Sequence, residues 1–279
     1  MVLRRRSLLV LPFAGCLALG AAPGTAASPA HAAAARAGGL IKVAQSKQAS
    51  PSGNQSMNWF GYNIGSLERS GTTFHSISAR WVVPTASQHT KGQAESSSTW
   101  IGIGGGCVDS GCLVGDNTLI QAGTEQDVSA SGARSYSAWW EIIPGPSFTI
   151  SGMKVAAGDQ MSVNIAEARP NSEIWNITVK DLTRGETFTN QVPYSSSYDT
   201  AEWIDETPLV IDTSGAALAD LPNLTTTHFD SATVNGADPH LVAAEKISLI
   251  DGNGKVIGAP SAPDAEGDGF SDCAWHSTC

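Results

Sequence analysis

Residues 161–189 read MSVNIAEARPNSEIWNITVKDLTRGETFT and contain the pattern that decides the fold. Apolar and polar residues alternate over 161–165 and again over 175–180, which is the period of a β-strand with one buried face. Residues 181–185 follow as a turn that ends in a glycine, and the chain returns through a third run over 187–189. This stretch therefore predicts a β-hairpin among antiparallel strands.

Similar short runs occur along most of the chain. Residues 74–83 form a strand-like run that Pro84 stops, and Lys246–Ile250 form another that a turn over 251–254 ends. The 29 glycines and 14 prolines are spread along the chain between these runs, as expected of turns, and no amphipathic helical pattern is present. These features predict an all-β fold, an antiparallel two-sheet β-sandwich of jelly-roll architecture with a single large core. The last residues, 259–279, are predicted to be a loop-rich tail.

The N-terminus has the composition of a targeting segment. Three arginines at 4–6 precede a short apolar run, and Ala30-His31-Ala32 has the small residues of a signal-peptide cleavage site. We therefore predict a signal peptide over 1–32, a flexible arm or short propeptide over 33–56, and one sandwich domain over 57–279. The run is too short to span a membrane, so we expect a secreted, extracellular protein.

The charge of the chain excludes several classes of partner. The formal net charge is −10, and removing the three arginines of the signal peptide lowers it to −13. Such acidity argues against binding to nucleic acid or to an anionic membrane. Only 15% of the residues are charged, so the fold gains little self-repulsion when its carboxylates protonate, which suits an acidic medium.

Four cysteines remain after the signal peptide: Cys107, Cys112, Cys273 and Cys279. An even number in a secreted chain predicts two disulfides, for which three connectivities are possible. Proximity in sequence favours Cys107–Cys112 and Cys273–Cys279. Neither pair has a histidine at ligand spacing, so we expect no metal and no cofactor. We also expect a monomer.

Two short segments place a polar side chain inside an apolar, strand-like run. Gln121 lies in LIQAG, residues 119–123, and Glu202 lies in AEWIDE, residues 201–206. A buried amide and a buried carboxylate are costly unless something uses them. A carboxylate can activate a water molecule, and an amide can stabilise an oxyanion, so this combination indicates a hydrolase.

Common signatures of zinc, serine-nucleophile and phosphate-binding sites are absent from the sequence. The remaining candidates are three polar segments with flanking aromatic residues, 98–105, 135–144 and 199–206. Because neighbours in a strand alternate faces, Trp139 and Glu141 share one face. By the same rule Trp203 packs in one layer while Glu202 projects from the other side, into a groove.

Five segments resemble the glutamic peptidases of the eqolisin family. In chain order they are ARWVVPT at 79–85, WIGIGG at 100–105, IQAG at 120–123, YSAWWEI at 136–142 and AEWIDE at 201–206. The corresponding family patterns for the last four are W-[VI]-G-I-D-G, L-Q-T-G, Y-x-A-W-Y-E-W and A-E-W-I-x-E. The resemblance implies an acid endopeptidase built as a two-sheet antiparallel β-sandwich that acts on polypeptides.

The resemblance also assigns roles to individual residues. It implies that Gln121 and Glu202 are the catalytic pair, with Glu202 as general base toward water and the Gln121 amide as the oxyanion donor. The two would meet in a cleft that water can enter. Trp100 and Trp139 are interpreted either as walls of a groove for an extended peptide or as core aromatics, and Glu141 is predicted to bind substrate.

The sequence departs from the family pattern at three positions. Gly104 and Ser137 stand where the family has aspartate, and Ile143 stands where it has tyrosine. We expect three nearby carboxylates to supply part of the missing hydrogen bonding, namely Glu125, Asp127 and Glu141. The departures bear on the pH optimum and on subsite preference more than on the catalytic pair.

Two other functions fit the same residues. A β-sandwich glycosidase could use Glu141 and Glu202 as its acid and nucleophile, with a separation of about 5–9 Å between the two carboxyl groups. A non-catalytic sandwich could instead bind carbohydrate or peptide by stacking on its tryptophans. The peptidase hypothesis ranks first, the glycosidase second and the binding module third.

Overall fold

The structure is a computed structural model that describes residues 41–43, 54–212 and 215–279. The predicted signal peptide, residues 1–32, lies outside the described residues and stays a prediction. So does most of the predicted arm over 33–56, of which Ile41–Val43 and Gln55–Ser56 are strands.

The described chain forms twenty β-strands and a single 3₁₀-helix, Ala243–Glu245. The strands are β1 (Ile41–Val43), β2 (Gln55–Ser56), β3 (Trp59–Gly65), β4 (Ser76–Val82), β5 (Ala86–Ser87), β6 (Glu95–Gly104), β7 (Leu119–Val128), β8 (Arg134–Ile142), β9 (Phe148–Thr149), β10 (Gln160–Glu167), β11 (Ile174–Asp181), β12 (Glu186–Pro193), β13 (Thr200–Glu206), β14 (Leu209–Asp212), β15 (Gly215–Leu218), β16 (Asn223–Leu224), β17 (Thr227–Val234), β18 (Lys246–Ile250), β19 (Val256–Pro260) and β20 (Phe270–Ala274).

Most strands lie on one antiparallel path that folds into two layers. The path runs β12-β11-β10-β4-β17-β20-β19-β18-β3-β13-β6-β7-β8-β9. Strand β19 pairs with both β18 and β20 and so joins the layers. Strands β4 and β10 of one layer pack on β6 and β7 of the other. Two smaller sheets, β1-β14-β15 and β16-β5, complete the structure, and the predicted all-β sandwich is confirmed.

The main core lies between the layers and follows the predicted alternation. In β10 every second residue, starting with Met161, is buried, and the residues between them are half-buried or exposed. One face of the strand therefore packs inward. The opposite layer contributes the core-facing residues Tyr62, Ile101, Ile103, Ile120, Ala122 and Trp203. In β6 and β13 the intervening residues therefore point away from this core, toward the outer face of the second layer.

The C-terminal segment differs from its prediction. Residues 259–279 were expected to be a loop-rich tail, but β19 ends within them and β20 lies entirely inside. Phe270 packs in the main core, and Asp272 pairs with Thr227 of β17. The stretch was misread because its apolar residues are few and a turn rich in Gly and Asp precedes them. Both predicted disulfides, Cys107–Cys112 and Cys273–Cys279, are present.

Within the residues that the structure describes, no helix is long and apolar enough to cross a membrane.

Two carboxyl groups are buried together between the layers. Asp205 of β13 and Asp272 of β20 are 0% and 1% exposed. Asp205 Oδ1 accepts a hydrogen bond from Thr99 Oγ1, while Asp205 Oδ2 and both Asp272 oxygens have no hydrogen-bond partner among the described residues. Burial raises the pKa of Asp205 to about 7, and burial together with the neighbouring Asp205 charge raises the pKa of Asp272.

Asp205→Asn should stabilise the protein at pH 7 and change its stability little at pH 4. The folded state keeps a proton that the unfolded chain releases from about pH 4 upward, so stability falls between about pH 4 and the folded pKa of about 7. A shift of this size corresponds to at most about 4 kcal/mol. Thermal unfolding should show Tm rising by several degrees at pH 7 only. An equal rise at both pH values would contradict this explanation.

Candidate active site

Five residues from neighbouring strands lie in one row across the second layer. Glu202 of β13 pairs with Asn63 of β3 on one side and with Gly102 of β6 on the other. Gly102 pairs with Gln121 of β7, which pairs with Glu141 of β8. Directly paired residues project to the same face, so the Glu202 and Gln121 side chains flank Gly102. Their Cα atoms are two strand spacings apart, about 10 Å.

Gly102 leaves the space between the carboxylate and the amide free of its own side chain. A Cβ at this position would lie 2.8 Å from Leu119 Cδ1 and 2.9 Å from the Trp100 ring. Both distances are shorter than real Cβ contacts, so any larger residue here would have to push Leu119 and Trp100 aside. The row therefore places a hydrogen-bond donor and a proton acceptor on either side of a bare backbone position.

Gln121 is held by Glu141. The amide Nε2 donates to Glu141 Oε2 at 2.7 Å, and the amide Oε1 has no hydrogen-bond partner in the part of the chain that is described. Because a carboxylate only accepts, Glu141 selects the amide orientation in which Nε2 faces it. Glu141 is 1% exposed, so the structure places this predicted substrate-binding residue behind Gln121 and not at an open surface.

Glu202 lies beneath a small hairpin, residues 106–116, that carries one disulfide. The hairpin is held by hydrogen bonds from Val108 N to Val114 O and from Asp116 N to Gly106 O, both 2.9 Å. A Cβ at Gly106 would collide with Asn63 Oδ1 and would lie 2.5 Å from Glu202 Oε1. The backbone of Gly106 therefore touches the carboxylate directly.

A second apolar cluster covers the row. It contains Trp59, Trp100, Leu119, Trp139, Ile204 and Ile247. Trp59 and Trp100 pack edge to face at 5.0 Å between ring centroids, and Trp100 Nε1 donates to Glu206 Oε2 at 2.7 Å. The structure thus places Trp100 and Trp139, which are 0% and 5% exposed, in a packed cluster on the outer face, separate from the main core.

The expectation of a cleft that water can enter is not met in this structure. Gln121 and Glu202 are both 0% exposed. The cause is the packing of Trp100 and Leu119 over Gly102, together with the contact of Gly106 on Glu202. Sequence alternation predicts which face a side chain takes, but not what covers that face.

Several polar atoms on this face lack protein partners within the described residues. They are Gln121 Oε1, Asn63 Oδ1 and the indole nitrogens of Trp59 and Trp139. Buried polar atoms of this kind are uncommon in folded proteins. These four lie on the outer face of the second layer, in the row or close to it.

No group of three or more histidine, cysteine, aspartate or glutamate residues in the described ranges is arranged to hold a metal ion.

Comparison with known proteins identifies the family. Residues 57–266 match the model of the Peptidase A4 family. The chain belongs to this family. It is a glutamic-type peptidase, and the resemblance read from its motifs is confirmed. Comparison of the sequence with curated proteins gives no match.

The fold is similar to those of solved glutamic peptidases. Scytalido-glutamic peptidase bound to a transition-state analogue inhibitor matches with TM-score 0.60 and 19% identity, over 78% of this chain and 98% of that one. SCP-B, a member of the eqolisin family, in complex with the tripeptide Ala-Ile-His matches with TM-score 0.54 and 18% identity over the same shares. Aspergilloglutamic peptidase from Aspergillus niger matches with TM-score 0.50 and 23% identity, over 64% of this chain and 99% of that one.

The departure from the family pattern at Gly104 has a structural reason. Gly104 has φ +98°, and a Cβ there would collide with the carbonyl oxygen of Thr118. The aspartate of the family pattern therefore cannot be accommodated on this backbone. Two of the carboxylates expected to supply the missing hydrogen bonding differ in position. Glu141 accepts a hydrogen bond from Gln121. Glu125 lies four residues after Gln121 in β7 and accepts a hydrogen bond from Ser137 Oγ at 3.3 Å.

Sequence reasoning missed three residues of the peptidase site. Gly102 was quoted only as part of a motif and Gly106 was not singled out, because the role of each depends on which side chains approach it. Asn63 had no signal in the sequence, because it reaches Glu202 only through the pairing of β3 with β13.

Proposed function

We propose that this peptidase is a secreted acid endopeptidase in which Glu202 is the general base and Gln121 donates to the oxyanion. One observation carries the proposal: Glu202 and Gln121 project from the same face on either side of Gly102. A substrate carbonyl above Gly102 would lie between a proton acceptor and an N–H donor, which is the arrangement that water attack on an amide needs.

The reaction follows from the two side chains. Ionised Glu202 takes a proton from water as the water oxygen bonds to the carbonyl carbon. The carbonyl oxygen becomes an oxyanion and accepts a hydrogen bond from the Gln121 N–H that Glu141 does not use. Glu202 then gives its proton to the amide nitrogen, the C–N bond breaks, and a carboxyl and an amine product leave. Gln121 does not titrate, so its donor remains available at low pH.

Access to the pair requires movement of its cover. Because Gln121 and Glu202 are fully buried, we infer that a bound peptide displaces the side chains packed over Gly102, above all Trp100 and Leu119. These apolar side chains then contact the peptide and exclude water from it. The indole N–H of Trp139, which has no hydrogen-bond partner among the described residues, would donate to the substrate backbone.

The remaining parts of the proposal rest on sequence. We propose that residues 1–32 direct secretion and are removed, that the enzyme acts on polypeptides outside the cell, and that it works as a monomer without metal or cofactor.

The glycosidase alternative is disfavoured by the register. Glu141 and Glu202 are three strand spacings apart, about 14 Å between Cα atoms, so their carboxyl groups reach the separation of about 5–9.5 Å that sugar hydrolysis needs only if the two side chains lean toward each other. Gln121 also lies between them and binds Glu141. The arrangement therefore favours attack on a peptide bond.

Digestion of casein across pH 2–8 with EDTA present tests the proposed function. We expect cleavage into large fragments in mild acid, unaffected by the chelator, and loss of cleavage toward neutral pH. Release of single residues only, dependence on added metal, or cleavage of polysaccharide without proteolysis would each overturn the proposal.

Glu141→Gln should lower kcat by about tenfold with little change in KM. The substitution keeps the shape of the side chain but replaces a charge-assisted hydrogen bond by a neutral one, which holds the Gln121 amide less firmly. Steady-state kinetics on a quenched peptide check this, with Glu125→Gln on the same face of β7 and β8 as the matched control. An unchanged kcat in Glu141→Gln would show that Glu141 does not orient the amide.

A further inference from the structure

Asn63 is a buried amide beside the general base. It lies in the same row, pairs directly with Glu202, and is 5% exposed. Its Nδ2 donates to the Cys107 carbonyl oxygen at 2.9 Å, and its Oδ1 has no hydrogen-bond partner among the residues described. A carbonyl oxygen only accepts, so the Cys107 contact fixes which end of the amide faces the row.

The free end of this amide faces the Glu202 carboxylate. A Cβ at Gly106 would approach both Asn63 Oδ1 and Glu202 Oε1, so both oxygens border the same small space beside the Gly106 Cα. Two acceptor oxygens in such a place repel each other unless a hydrogen lies between them. A proton on Glu202 supplies that hydrogen, whereas an ionised Glu202 does not.

We propose that Asn63 is a positioning residue that accepts a hydrogen bond from the protonated carboxyl of Glu202. The inference rests on the proposed function, in which Glu202 takes one proton from the attacking water and later returns it to the leaving nitrogen. Between these steps Glu202 is neutral, and Asn63 Oδ1 stabilises this neutral form. No atom is gained or lost at Asn63 during the cycle.

The hairpin over 106–116 keeps Asn63 in this orientation. The Cys107–Cys112 disulfide closes the hairpin. Gly106 N donates to Thr200 Oγ1 at 3.2 Å, and Leu67 N donates to Val108 O at 3.2 Å. The residues on either side of Cys107 are therefore fixed to β13 and to the segment that follows β3. Rotation of the Asn63 amide would cost the one hydrogen bond that its side chain makes among the described residues.

Other titratable groups surround the pair. Burial is the main cause of the raised pKa of Tyr194, and the charges of Asp116 and Glu202 contribute in smaller part. Behind Asn63, four charged residues line a small cavity: Glu68, Asp109, Glu245 and Lys246. Burial lowers the pKa of Lys246. Asn63 separates this charged cavity from Glu202, so a change at Asn63 acts on Glu202 at closer range than any of them.

The pH dependence of kcat/KM on a quenched peptide tests the proposal with Asn63→Ala and Asn63→Asp. Its acidic limb reports ionisation of the base in the free enzyme. Asn63→Ala removes the acceptor that stabilises the neutral carboxyl, so the limb should move to lower pH, by about half a unit or more, with kcat about tenfold lower and KM within about twofold. Asn63→Asp places a second carboxylate beside Glu202, so its limb should move to higher pH.

Asn58→Ala is the matched control. Asn58 is equally buried, lies next to the same strand, and bonds to Ser56 and Glu206 instead of Glu202. It should lower Tm and leave the acidic limb in place. The inference is overturned if the acidic limbs of Asn63→Ala and Asn63→Asp coincide with the wild-type limb, or if both move in the same direction. Casein cleavage by the wild type would still uphold the proposed function in that case. Absence of casein cleavage by the wild type would instead overturn the proposed function.

Discussion

Glu202→Gln should abolish peptide cleavage while the protein remains folded. Glutamine has the shape of glutamate but cannot take a proton from water, so the general-base contribution, typically 10² to 10⁴ in rate, is lost. The side chain is fully buried on the outer face of β13, where no core packing depends on its charge. We expect kcat to be lower by about 10² to 10⁴, measured with a quenched peptide at pH 4, and a Tm within a few degrees of the wild type.

Glu206→Gln is the control for this variant. Glu206 lies on the same strand and face, is 2% exposed, and accepts from the Trp100 indole. It should keep activity within about tenfold of the wild type, because it lies four residues from the base and the substitution weakens hydrogen bonds without removing the base. If the Glu206 variant lost as much activity as the Glu202 variant, loss of a buried carboxylate rather than loss of the base would explain both.

Gln121→Ala should lower kcat by about 10² to 10³ and affect KM far less. The amide donor acts on charge that exists only in the transition state, and removal of one such donor typically costs about 2.7–4 kcal/mol. The acidic limb of kcat/KM should stay in place, since the base is still present. Full kinetics at several pH values, with circular dichroism to verify folding, would check both expectations.

If kcat were unchanged and a rise in KM accounted for the whole loss of kcat/KM, the proposed role of Gln121 would be contradicted. That result would mean the amide binds substrate and transition state equally, as a simple contact in the groove would. Gln121→Asn offers a second comparison, because it retains the donor on a shorter side chain and should recover part of the lost rate.

The all-β sandwich class was predictable from the sequence, whereas the catalytic role of the two central residues stays a prediction. Alternation over 161–165 and 175–180 predicted strands that the structure places in β10 and β11, because one buried face imposes a period of two. Gln121 and Glu202 were identified from short motifs. Their meeting on one face depends on the pairing of β13, β6 and β7, which no local pattern specifies.

The surroundings of the pair could not be predicted, for a physical reason. The contact of Glu141 with Gln121, the contact of Gly106 with Glu202 and the cover of Leu119 over Gly102 each join residues from different strands or loops. Such contacts are set by strand register and loop geometry, which follow from the packing of the whole sandwich. Periodicity gives the face of a residue but not its neighbours, and the same limit hid β20 in a segment that looked like a tail.

A crystal structure of the enzyme with a peptide transition-state analogue would test the central claim most directly. We expect the tetrahedral centre to lie above Gly102, with one of its oxygens about 2.6–3.2 Å from a Glu202 oxygen and another about 2.7–3.1 Å from Gln121 Nε2. We also expect Trp100 and Leu119 to have moved aside. An analogue bound elsewhere, or bound against only one of the two side chains, would contradict the catalytic pair.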